Sequence, residues 1–76
     1  METIVLAYLS YSPRIGNHAS STTLYVEWAD TKGRLGTRTV GVYPRAIDAT
    51  AALRDFAKGH GLVVNLHQSS ARPTND

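Results

Sequence analysis

The 76-residue chain carries eight Lys and Arg against six Asp and Glu, a formal charge of +2 that does not by itself imply nucleic acid. It has no Cys, which excludes disulfides, thiolate metal sites and cysteine nucleophiles and fits a cytoplasmic protein. The length allows one small domain that buries about 60% of the unfolded chain's surface, and it leaves no room for a second.

The opening METIVLAYL is apolar for only about eight residues and lacks a basic lead-in, so it reads as a strand and not as a signal peptide or membrane span. From Thr3 to Tyr11 the pattern is apolar on both parities, with Ile4, Leu6 and Tyr8 on one side and Val5, Ala7 and Leu9 on the other. That pattern predicts a central strand. Ser12 to Ser21 is rich in turn formers and predicts an exposed, mobile loop.

Thr22 to Ala29 alternates cleanly, with Leu24, Val26 and Trp28 on one face and Thr23, Tyr25 and Glu27 on the other, which predicts a half-buried strand. Asp30-Thr31-Lys32-Gly33 has the residues of a type I turn and predicts a hairpin with a returning strand from Arg34 to Tyr43. Pairing Ala29 with Arg34 sets Trp28 opposite Leu35, Val26 opposite Thr37, and Tyr25 opposite Arg38 on the outer face. Val40 and Val42 then point outward. Gly36 and Gly41 are both candidate bulge sites, and an extra residue at either would swing the valines back toward the core.

Pro44 ends that strand, and Ile47 is placed to staple onto Ala52. From Asp48 to Gly59, Ala49, Ala52, Leu53, Phe56 and Ala57 form one helical stripe, with Asp48 as the N-cap and Gly59 or Gly61 as the stop. Leu62 to His67 alternates again and predicts a fourth strand, and residues 68–76 read as a disordered C-terminal tail. The expected fold is α+β: a single antiparallel four-stranded sheet with one main helix on one face, in the order β-β-β-α-β, over residues 1–67. Phe56, Leu53, Trp28, Val26 and Leu6 are the expected core.

His18, His60 and His67 show no ligand spacing, and the helix dipole accounts for His60. The carboxylates are scattered, and no G-x-S-x-G elbow or glycine-rich phosphate loop is present. The chain is therefore expected to lack catalytic residues, metal ligands and cofactors, and to act by binding. Tyr25, Glu27, Lys32, Arg34, Arg38 and Arg45 come from one hairpin and its exit and form the candidate partner-binding surface, since Tyr and Arg anchor interfaces and Arg pairs bidentately with phosphates and carboxylates.

Two resemblances bear on the partner. The strand Leu24-Tyr25-Val26-Glu27-Trp28, the turn DTKGR, the end Gly41-Val42-Tyr43-Pro44 and the Ala-rich helix make residues 22–58 resemble the arm-type DNA-binding domain of phage integrases. That likeness implies double-stranded DNA as partner, with Tyr25, Arg34 and Arg38 facing the major groove. So few cations give only a weak contact at physiological salt. As a whole, the small cysteine-free chain with one sheet, one helix and no catalytic constellation resembles the phage-encoded anti-CRISPR proteins of the type I class. This second likeness ranks first. It implies a protein partner, the type I CRISPR surveillance complex (Cascade), whose binding of target DNA is blocked in the cytoplasm of the bacterial host. A monomer, or a weak homodimer through an exposed edge strand, is expected.

Overall fold

The β-branched and aromatic residues of the first half of the chain form three long strands in a computed structural model that describes residues 3–73. These are β1 (Thr3–Ser12), β2 (Ser21–Ala29) and β3 (Leu35–Tyr43). Helix α1 (Ala46–His60) follows, and then two short strands, β4 (Val63–Asn65) and β5 (Ser70–Arg72). All pairings are antiparallel and the sheet order is β3-β2-β1-β5-β4. β1 is central, as its two-sided apolar pattern requires. The α+β class holds, with five strands in place of four.

The fifth strand corrects the expected tail. Residues 70–72 pair with both β1 and β4, and Ser70 and Ala71 are buried. Ala71 lies opposite Ala7, fully buried in the cluster that holds Leu53 and Ala57 of the helix. The remainder of that tail, residues 74–76, lies outside the described residues. β4 is shorter than the predicted strand because the Asn65 side chain accepts bonds from the N–H groups of His67 (3.1 Å) and Gln68 (3.3 Å), turning the chain before Leu66. Leu66 is consequently exposed.

α1 begins at Ala46, two residues before the predicted start. Arg45 occupies the N-cap and supplies no side-chain cap, while Asp48 sits in the first turn, where its charge meets the positive end of the helix dipole. The stop is Gly61 in the left-handed conformation. The N–H groups of Gly61 and Leu62 both bond the Ala57 carbonyl there, the latter at 2.9 Å, closing the helix end while Leu62 packs on the core.

Ala7, Leu24, Leu53 and Ala71 are fully buried and Ala57 nearly so, with Leu9, Tyr43, Phe56 and Val64 packed around them. Leu53 and Val26 (8% exposed) are core residues as expected, and Phe56 is half-buried. Trp28 and Leu6 are not part of this cluster. Alternation from Ala7 turns Leu6 to the opposite sheet face, and an irregularity in the β1–β2 register between Ile4 and Leu6 sets Ile4 opposite Trp28. The segment between β1 and β2 is exposed as predicted, and its tip is regular. Ile15 and His18 exchange two backbone bonds (3.1 and 2.9 Å) around Gly16-Asn17.

Candidate functional site

The geometry of the β2–β3 hairpin decides which of the candidate side chains share a face. Asp30 N–H bonds the Arg34 carbonyl at 3.0 Å and Gly33 N–H bonds the Asp30 carbonyl at 3.1 Å, so Arg34 pairs with Asp30 and not with Ala29, one residue off the predicted register. Ala29 pairs with Leu35, Trp28 with Gly36, Val26 with Arg38 and Tyr25 with Thr39. A one-residue slip exchanges the two faces of a strand. Tyr25 and Arg38 are therefore not cross-strand neighbours, and Arg38 projects on the helix side of the sheet.

The register shifts again between Leu24 and Tyr25, where Val40 is the extra residue next to Gly41, one of the two candidate bulge sites. The bulge turns Gly41 and Tyr43 toward the helix side. It does not bring the valines into the core, since Val40 is 42% and Val42 60% exposed.

Beyond the end of the helix-covered core, Trp28 lies flat against β3. A Cβ at Gly36 would sit 2.5 Å from its indole ring, so glycine is what permits this approach. The Arg38 guanidinium stands 4.7 Å from the centroid of the same ring, in cation–π geometry. The indole Nε1 is buried without a hydrogen-bond partner among the described residues.

The turn itself is locked by Asp30. One carboxylate oxygen accepts from the N–H groups of Lys32 (2.8 Å) and Arg34 (2.9 Å), and the other pairs with Arg34 Nε at 2.7 Å. The Arg34 N–H bond, opposed in part by desolvation and helped by the Arg34 side chain and the Lys32 N–H, holds the Asp30 carboxyl below its ordinary value of 3.8. Arg34 is thus committed to the turn. Lys32 and Arg45 are exposed at the two ends of β3.

On the face away from α1, Tyr8 and Tyr25 stack at 5.4 Å between ring centroids with 30° between planes. Cross-strand pairing extends this row through Ser70 to Asn65 on one side and to Thr39 on the other. The next row holds Leu6, with Glu27 beside it on β2 and, by alternation from Ala71, Arg72 on β5. Among the described residues no helix lies on this face, although Ser70 within it is buried, its Oγ without a hydrogen-bond partner.

Of the six candidates, the structure brings only Tyr25 and Glu27 together here. Arg38 lies on the opposite face, Lys32 and Arg34 in the turn, and Arg45 at the helix start. Tyr8 and Arg72 join the face without having been singled out. The cross-strand position of Tyr8 opposite Tyr25 follows from the β1–β2 register, but a strand apolar on both parities does not announce which face stays open. Arg72 was hidden in the presumed tail.

His60 Nδ1 lies 2.9 Å from the Phe56 carbonyl and its ring stacks on Phe56 at 4.1 Å, a local arrangement of the helix end. Among the described residues no cluster of three or more His, Asp or Glu is placed to hold a metal ion, and no helix is long and apolar enough to cross a membrane. Comparison with protein-family models, with curated proteins and with solved structures finds no match, so the chemistry of this face and of the hairpin beside it has to carry the functional reading.

Proposed function

We propose that the protein acts by occupancy, without catalysis, docking a protein partner on the uncovered sheet face. The observation behind this reading is the stacked Tyr8–Tyr25 pair at the centre of that face, bordered by the exposed Thr39 and Asn65 and by one charge of each sign, Arg72 and Glu27. Tyrosine offers a large, rigid contact area with little side-chain entropy to lose, and small polar residues around it supply adaptable hydrogen bonds. By its likeness in format to type I anti-CRISPR proteins, the partner is a type I CRISPR surveillance complex, and docking blocks its engagement of target DNA.

Titration of a purified type I complex in a DNA-shift assay tests the proposal. Inhibition should saturate near one copy per binding site, and the Tyr8→Ala/Tyr25→Ala variant should bind at least about thirtyfold more weakly, as the loss of roughly 2 kcal/mol of anchor energy implies. Full inhibition at a small fraction of the complex concentration would mean turnover. An unaffected complex at excess protein would exclude this partner.

A further inference from the structure

The two edges of the sheet differ. β4 offers only three residues, whereas β3 offers nine and pairs with β2 alone. An unpaired strand edge carries a row of free backbone donors and acceptors on which another extended chain can build. Hydrogen-bonded pairs alternate with non-bonded ones in an antiparallel ladder. Counting from the Asp30 N–H to Arg34 O bond, the bonded pairs fall at Trp28/Gly36 and Val26/Arg38, which leaves the backbone groups of Leu35, Thr37 and Thr39 turned outward. The bulge at Val40 ends the regular edge there.

Charge selects the occupant. From Thr31 to Ile47 the chain holds Lys32, Arg34, Arg38 and Arg45 and no carboxylate. Asp30 answers Arg34, but Lys32 and Arg45 stand exposed at the two ends of the strand. A second copy paired antiparallel about a two-fold axis through Arg38, which joins Thr37 of each copy to Thr39 of the other, would set Arg38 against itself, and any such pairing would lay this carboxylate-free segment along its own copy. Like charges directly opposite are destabilising. The same cations that repel a second copy attract a strand bearing carboxylates.

We infer that β3 is a β-augmentation site for an extended, acidic peptide segment of a protein partner, a surface separate from the tyrosine face. Two peptides matched in length to β3 test this on the unmodified protein, one alternating Glu with Val and Thr, the other with every Glu replaced by Lys. Amide chemical-shift mapping should place the Glu peptide on residues 35–39, with hydrogen-exchange protection of Thr37 and Thr39. The Lys peptide should bind at least about tenfold more weakly, and 0.5 M salt should narrow the difference because exposed charges are then screened.

Thr37→Pro, which removes an outward N–H that the β2–β3 ladder does not use, should abolish Glu-peptide binding while the melting curve reports that the fold persists. Equal binding of the two peptides, no binding of either, or shifts confined to the Tyr8–Tyr25 face would overturn the inference. So would protection of the same amides by self-association of the free chain, or by a DNA duplex with the peptide inert. The outcome at the tyrosine face in the surveillance-complex assay is independent of all of these.

Discussion

The part of the sheet under α1 and the β2–β3 end beyond it are held by different forces. Under the helix, Ala7, Leu24, Leu53 and Ala71 are sealed from water, and stability there comes from apolar area removed from solvent by residues far apart in sequence. At the turn end the contacts are local: one carboxylate satisfying two N–H groups and a guanidinium, an indole lying on a glycine, and an arginine on the indole. Such contacts are worth less each, and they shape a strand edge and its charges without supporting the rest of the fold. Exposed side chains at this end can therefore be altered at small cost to folding, whereas truncating a buried side chain at the covered end leaves a cavity.

Leu53→Ala should separate the two regions most sharply. It opens a cavity at a fully buried position and should cost roughly 2–5 kcal/mol, lowering Tm by about ten degrees or more in a domain of this size. A melt within a couple of degrees of the unmodified protein would take the helix out of its central place. At the turn end, Gly36→Ala forces the Trp28 ring off β3. A cost of about 1–3 kcal/mol and a change in tryptophan emission are expected, and unchanged emission would contradict the close approach.

The smallest effect belongs to Asp30→Asn, since Asn keeps one oxygen for the backbone N–H groups and loses only the ion pair with Arg34. Because folding depresses the Asp30 pKa, its contribution is complete above the ordinary carboxylate value and is lost as pH falls through the lower folded value. The variant should melt slightly below the unmodified protein at pH 7, with the gap closing below about pH 3.8. A gap independent of pH would assign the loss to something other than this charge.

The candidate surface was only partly legible in the chain. The alternation of β2 identified Tyr25 and Glu27 as neighbours on one face, and they are. Placing Arg38 with them required the hairpin register, which hung on whether Arg34 pairs with Ala29 or with Asp30. That choice is made by Asp30, whose carboxylate reaches the Arg34 N–H and side chain and stabilises the Asp30–Arg34 pairing. Tyr8 and Arg72 were out of reach for a related reason: which face of a central strand stays open depends on where the helix lands.

Local patterning by itself determined the three long strands, the β2–β3 hairpin, the single helix with Leu53 and Ala57 on its buried stripe, and the central place of β1. Each of these is written in a period of two or 3.6 residues and in the turn formers between them. The tertiary structure alone decided that Ser70–Arg72 enters the sheet, that Trp28 rests on Gly36 outside the helix-covered core, and that β3 is left as the long edge strand. Three polar or small residues carry no periodic signal. They become a strand because β1 and β4 offer them backbone partners and Ala71 is buried against the helix-covered core.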